Sequence, residues 1–442
     1  MVLRRPIDGW CSIGIVLVML DWQGASLRSA AAQGPEPIRP TTVASDWLAL
    51  SDGRRLPATL FDWDSQGPVF KIESGLLMAG GTEGSTPRPI SFGSHREPLG
   101  GTRVLLTDGT LLCGEIVSLT GQSIEFRSAA CRGELPLSSV RGLLFHPPQS
   151  LLRFDRLVAE LIDDTGDADR VWLGNGDRMA GVVGWDPQAS NAATGRTDLD
   201  EVALRFDDQW LAIPTPTIRA LGFSPVLHPL QIDPPARFAL GFADDGSWLE
   251  LQNVTLDGER FLELRLACGV TLRSTDRAGA MAPRVDLWSD RESVTRLTNT
   301  PPARYRHLPF LSGQRVLGIN RTSDARPLRA GQRRYASGLG MHPTSQATFR
   351  VPEGMQRIQA ELAVADGDPT STLRGSVRFR VLAQSGERLE ERFASPVIRG
   401  GDPPVPLDIP ISGTGLIVLI VDWADQGDAA DEGLWLEARW IP

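Results

Sequence analysis

Two stretches of this chain line up without a gap. Val104-Leu105-Leu106-Thr107-Asp108-Gly109-Thr110-Leu111-Leu112-Cys113-Gly114-Glu115-Ile116-Val117 runs alongside Val171-Trp172-Leu173-Gly174-Asn175-Gly176-Asp177-Arg178-Met179-Ala180-Gly181-Val182-Val183, the second ending one residue sooner. Farther on, Leu135-Pro136 and Val140-Arg141-Gly142-Leu143-Leu144-Phe145 match Ile213-Pro214 and Ile218-Arg219-Ala220-Leu221-Gly222-Phe223. Separated matches in one order mark a duplicated small unit. Within each copy, Ile124-Glu125-Phe126 and Leu204-Arg205-Phe206 alternate as half-buried strands do. Asp108-Gly109 and Asn175-Gly176 stand where a hairpin turn needs positive φ. Each copy is expected to form about five short strands in a compact SH3-like barrel. The helical spacing of Leu, Phe and Val from Leu151 to Ile162 predicts a helix between the copies.

The same strand-and-turn grammar extends to both sides. Trp47-Leu48-Ala49-Leu50 before Asp52-Gly53 reads as a strand entering a hairpin, and 80–98, rich in Gly, Ser, Thr and Pro, reads as a loop. Asn191 to Asp200 reads as an exposed loop within the second copy. Phe238 to Trp248 and the alternating Leu262-Glu263-Leu264-Arg265-Leu266 form a degenerate third β segment. From Tyr305 onward the strands lengthen: Ile358 to Val364, Ser376 to Leu382, and Trp435 to Trp440. Leu416-Ile417-Val418-Leu419-Ile420-Val421 is apolar throughout, as a central strand buried on both faces would be. The expected architecture is all-β: a C-terminal jelly-roll sandwich preceded by tandem small SH3-like units. Its segments are a signal peptide at 1–32, a first β segment with linker at 33–98, the repeat copies at 99–149 and 150–225, the degenerate segment at 226–300, and the sandwich at 303–442.

Arg4 and Arg5, the apolar run Cys11 to Leu20, and Ala30-Ala31-Ala32 have the layout of an export signal. Asp8 and Asp21 bracket the apolar run, which leaves an uncleaved anchor as the alternative; no later stretch reads as a membrane span. The expected location is therefore periplasmic or extracellular. The net charge of -9 argues against a nucleic-acid partner. Cys113 and Cys131 sit in one small unit, either as a disulfide or as buried free thiols, and Cys268 stands apart. There is no Cys-x-x-Cys, P-loop, G-x-S-x-G or H-E-x-x-H motif, and no pair of carboxylates is singled out by its flanks, so no catalytic centre is expected.

The C-terminal third carries an ordered set of landmarks. They are Pro327-Leu328-Arg329-Ala330-Gly331, Tyr335-Ala336-Ser337-Gly338-Leu339-Gly340-Met341-His342, Ser345, Val364-Ala365-Asp366, Gly375-Ser376-Val377-Arg378-Phe379-Arg380-Val381, Arg399-Gly400-Gly401-Asp402, Ile411-Ser412-Gly413, Val421-Asp422, and Trp435 with Ala438. From about Arg304 to Trp440 the chain resembles the NPCBM carbohydrate-binding domain, found attached to glycoside hydrolases and in many exported bacterial proteins. The resemblance implies a β-sandwich that contacts a glycan or another cell-surface polymer. It departs from the family at Asp431-Glu432-Gly433-Leu434-Trp435, where an acidic-His-x-x-Trp segment is usual, and at Ser385-Gly386, where Asp-Gly is usual. A fold retained without its ligand, serving an envelope protein partner, is the alternative.

Sugar recognition needs polar groups that pair with hydroxyls, often beside an aromatic face. The candidate sugar-binding residues are His342, Asp366, Trp423, Asp431 and Trp435. Against these stand bland readings: His342 as a turn-stabilising histidine, and Trp435 as core. The acidic run Asp422 to Glu432 offers oxygen ligands for Ca²⁺ without an EF-hand register, or is a solvated acidic loop. No cofactor is implied.

Overall fold

The computed structural model describes residues 47–442 apart from 65–66, 80–86, 99, 185–199, 229–234, 258–259, 275–283, 310–312, 368–374, 426 and 428–429. The expected export signal, Cys11 and nearly all of the predicted 191–200 loop lie outside the described residues.

The two matched stretches run through one order of elements. The first comprises strands Arg103–Leu106, Leu111–Cys113, Glu115–Leu119, Ser123–Arg127 and Cys131–Pro136, a 3-10 turn Leu137–Ser139, and a closing strand Val140–Leu144 that returns to pair with Arg103–Leu106. The second comprises Asp169–Leu173, Arg178–Gly184, Glu201–Phe206 and Gln209–Pro214, a 3-10 turn Thr215–Thr217, and Ile218–Gly222, which returns to Asp169–Leu173. The hairpin glycines Gly109 and Gly176 have φ of 89° and 98°, the left-handed region that favours glycine. The closing strands pair antiparallel, with Gly142 opposite Gly222. A Cβ on either glycine would press on Leu161. Leu161 belongs to the single α-helix among the described residues, Leu151–Asp163, whose face of Phe154, Leu157, Val158 and Leu161 packs over this junction. Burial of that stripe, more than intrinsic propensity, holds a helix of this length.

The flanking segments interlock. Pro89–Gly93, inside the stretch that composition marks as a loop, is a central strand that pairs with Trp47–Leu50 on one side and Val285–Asp290 on the other. Its core content is only Ile90 and Phe92. Pro89 stands at its first position, where a missing N–H is tolerated. Val285–Asp290 pairs with Phe238–Phe242, which pairs with Trp248–Asp257. The 33–98 and 226–300 segments, read as separate, therefore share a sheet. Residues 45–442 form one compact unit. Cys113, Cys131 and Cys268 are buried free thiols, so the disulfide alternative falls; burial pushes the Cys113 and Cys131 thiols up to about 12.

The C-terminal part is a two-sheet antiparallel sandwich. One sheet runs Arg304–His307, Ser345–Arg350, Leu416–Trp423, Ser376–Ser385, Arg388–Ala394; the other runs Gly318–Ile319, Gly338–Met341, Gly433–Ile441, Arg357–Val364, Val405–Pro410. Leu416–Trp423 is central and buried from Ile417 to Val421, as its composition predicts. Phe379 and Trp435 meet edge-to-face across the two sheets, centroids 5.1 Å apart.

Buried guanidiniums join the sandwich to the β body. Arg329 donates from Nε and Nη2 to both Asp155 oxygens at 2.9 Å and from Nη2 to Glu97 at 2.7 Å; Arg334 reaches the other Glu97 oxygen at 2.6 Å. Arg296 reaches the carbonyls of Ile90 and Asp290, Ser289 Oγ and Glu437. Buried charge is tolerated when it is paired and hydrogen-bonded in this way.

Candidate functional site

The Gly-x-Gly of Gly338-Leu339-Gly340 has a packing reason. Gly338 has φ of 157°, and a Cβ there would meet the Trp435 carbonyl at 2.7 Å. A Cβ on Gly340 would meet Arg321 O and Thr322 Cα, both at 2.5 Å. The strand can therefore lie flat between the closing strand and the 321–326 loop. That loop forms one wall of a cleft of about 370 Å³ at the end of the sandwich. Asp366, Asp431 and His342 line the same cleft, together with Ser323, Asp324, Arg326, Arg315 and Glu432, and with Leu152 and Arg156 of the helix.

Each side chain is fixed by its neighbours. Thr322 Oγ1 donates to Asp324 at 2.6 Å and accepts from the Arg326 amide at 2.9 Å. Asp324 holds Arg326 Nε with both oxygens, at 3.0 and 2.8 Å. Burial opposes ionisation of Asp324, but Arg326 outweighs it and holds the carboxyl below its ordinary value. Glu432 is buried and accepts from both the amide and the hydroxyl of Ser323. Burial pushes Glu432 up to about 7, Asp324 adding to the effect and the Ser323 bonds opposing it. Asp366 accepts from the amides of Gly331 and Gln332 at 2.9 and 2.7 Å. The half-buried His342 donates from Nδ1 to the Pro343 carbonyl at 3.0 Å and stands edge-on to His307. His307 Nδ1 in turn accepts the Arg315 amide at 3.0 Å.

The cleft thus gathers three of the five predicted residues and leaves two apart. Trp423, 46% exposed, ends its strand outside the cleft lining. Trp435 is wholly buried, and assigning it to sugar contact is corrected here: it sits on the central strand of its sheet against Phe379, with no face toward solvent. The acidic loop is drawn to arginines, Asp422 to Arg380 at 3.3 Å and Asp425 to Arg399 at 2.6 Å. Among the described residues no three His, Cys, Asp or Glu side chains come together as a metal site. Ser323, Asp324 and Arg326 are not among the candidates read from the sequence, although Arg326 directly precedes the Pro327-Leu328-Arg329 landmark, and Glu432 enters there only as the end of the acidic run. Nothing local in the sequence marks Arg156.

Residues 304–441 match the NPCBM/NEW2 domain family. The match covers the sandwich, in agreement with the resemblance carried by the landmarks. A stretch of 129 residues is 31% identical to alpha-1,3-galactosidase B of Akkermansia muciniphila, covering 28% of this chain and 15% of that enzyme. The chain therefore spans about a seventh of the length of that relative. Among solved structures, the CBM51 of a Clostridium perfringens GH95 protein, in complex with methyl-galactose, aligns at 18% identity with a TM-score of 0.28, over 33% of this chain and 97% of that one. The tandem CBM51 modules of a family 98 glycoside hydrolase from Streptococcus pneumoniae align at 11% identity with a TM-score of 0.28, over 83% and 98%.

Proposed function

We propose that this chain is an exported, non-catalytic glycan-binding protein whose binding site is the cleft at the end of its NPCBM sandwich. The observation that carries this reading is the convergence of His342, Asp366 and Asp431 with Arg326 and Glu432 in one polar cleft of about 370 Å³. That volume lies at the lower end of the range for small-ligand sites. The relatives named above include a galactosidase and a module seen with methyl-galactose, which supports a sugar as the ligand class.

Binding is favoured over hydrolysis because the carboxylates are already engaged. Glycosidases need two carboxyls free to act on opposite sides of a glycosidic bond. Here Asp366 caps backbone amides and each Glu432 oxygen accepts from Ser323. The β body, with its duplicated unit, serves as the platform that holds the sandwich, and residues 1–32 direct export.

A glycan array probed with the full chain tests the reading. The full chain is needed because Arg296 and Arg329 bury their charges at the junction of the sandwich with the β body. Specific binding that His342→Ala weakens at least about fivefold, as loss of a cleft hydrogen bond would, supports it. A flat profile across neutral and acidic glycans overturns it and favours an envelope protein as partner instead.

A further inference from the structure

The cleft's positive and negative groups are not equally available. Each carboxylate is committed to the protein. Asp366 accepts two amides, Glu432 takes both donors of Ser323, and Asp324 holds Thr322 and Arg326. Asp431, 1% exposed, accepts the Ser376 amide at 2.5 Å. With its pKa at about 7, Glu432 also carries only part of a charge near neutrality.

The guanidiniums differ. Arg326, 8% exposed, is anchored at Nε by Asp324 and at Nη1 by the Asp366 carbonyl at 3.4 Å, and its Nη2 makes no bond among the described residues. Arg156 and Arg315 are exposed on the cleft walls, and neither side chain has a hydrogen bond or ion pair among the described residues. A guanidinium held in place at two nitrogens and left open at Nη2 is suited to a charge-assisted hydrogen bond with an oxyanion.

We propose that the cleft receives its glycan through an acidic group, a carboxylate or a sulfate, held by Arg326 on the floor and by Arg156 and Arg315 on the walls. This rests on the glycan-binding reading above and adds the ligand class. Arg156 lies outside residues 304–441, on the helix that the β body supplies, so acid recognition belongs to the joined structure and not to the sandwich alone. Bulk attraction cannot stand in for these contacts. The chain's net charge of -9 repels a polyanion at long range.

The test uses the full chain against three immobilised polymers: neutral galactan, polygalacturonate and sulfated galactan. At least one acidic polymer is expected to bind roughly tenfold or more tightly than galactan, with the margin shrinking as salt rises. Arg156→Gln and Arg315→Gln should each erase most of that margin, Arg156→Lys should restore part of it, and Arg388→Gln, exposed elsewhere on the sandwich, should change nothing. Preference for polygalacturonate or for sulfated galactan identifies the acidic group. Equal binding of galactan and both acidic polymers, or a margin untouched by Arg156→Gln and Arg315→Gln, overturns the proposal while leaving glycan binding in place. Binding of none of the three, combined with a flat array, overturns both.

Discussion

Replacing Arg329 with methionine should be among the most damaging single changes available in this chain. The guanidinium is 2% exposed and bonds Asp155 twice and Glu97 once, with Asp155 and Glu97 themselves 4% and 1% exposed. Methionine fills comparable volume, so little of the loss comes from a cavity. The loss is electrostatic. Glu97 retains Arg334 at 2.6 Å, whereas Asp155 loses both of its guanidinium bonds. Breaking a buried ion pair by removing one partner costs about 3–5 kcal/mol, and that should appear as a lower unfolding free energy in urea at pH 7. Because the unpaired charge sits at Asp155, adding Asp155→Asn to Arg329→Met should recover more stability than adding Glu97→Gln. Acid provides a second check. Burial alone would raise Glu97, but Arg329 and Arg334 outweigh it and hold the carboxyl well below the usual range. Glu97's contribution is then fully present above its unfolded value of about 4.3 and is lost as pH falls toward the folded one. The gap between wild type and Arg329→Met should therefore narrow on acidification. A variant within about 1 kcal/mol of wild type at pH 7, the scale of an exposed pair, would refute the reasoning.

Glu432 titrates in the opposite sense. Its folded value of about 7 lies above the ordinary 4.5, so the folded chain holds an extra proton between them. Its contribution to stability falls as pH rises across that interval, by up to roughly 3 kcal/mol. Unfolding measured at pH 5 and pH 8 should show a clearly smaller pH dependence in Glu432→Gln; an unchanged slope counts against the assignment. Trp435→Ala should cost about 3–5 kcal/mol as a core truncation, while Trp423→Ala should stay within about 0.5 kcal/mol and leave array binding intact. Loss of binding in a folded Trp423→Ala protein would return that residue to the site. Cys113 and Cys131, buried with thiols at about 12, should resist alkylation at pH 8 until the chain is unfolded; mass spectrometry after a native pulse of iodoacetamide reads this directly.

The sandwich was legible because its strands obey local rules. Leu416 to Val421 is apolar on both faces because both faces are covered, and Gly338-Leu339-Gly340 marks a place where backbones approach too closely for a Cβ. The hairpins at Gly109 and Gly176 were legible for the same reason, since a two-residue turn needs positive φ. Pro89–Gly93 was hidden because a strand with only two core residues, bracketed by Pro and Gly, has the composition of a loop. Its strand character comes from two neighbours, one of them about 200 residues away in the chain, and no local window contains them. Trp435 misled because a tryptophan near an acidic loop fits a stacking platform and a core equally well. Only the sheet on either side of it decides.

The cleft was half legible for a reason that ties its two walls together. Asp366 and His342 sit in stretches that resemble a family pattern and Asp431 at a place where the chain departs from it, so all three could be named. Arg156 belongs to a helix whose sequence reports only an apolar stripe. Yet Asp155 and Arg156 are consecutive, and on a helix consecutive side chains point about 100° apart. Asp155 therefore turns into the interface to hold Arg329, while Arg156 turns along the surface into the cleft. The bond that fastens the sandwich to the β body thus also sets the position of an arginine on the cleft wall. Arg329→Met should accordingly weaken binding of an acidic glycan even where the chain remains folded, although Arg329 itself does not line the cleft. A folded Arg329→Met protein with undiminished preference for acidic polymers would separate the two roles and place recognition in the sandwich loops alone.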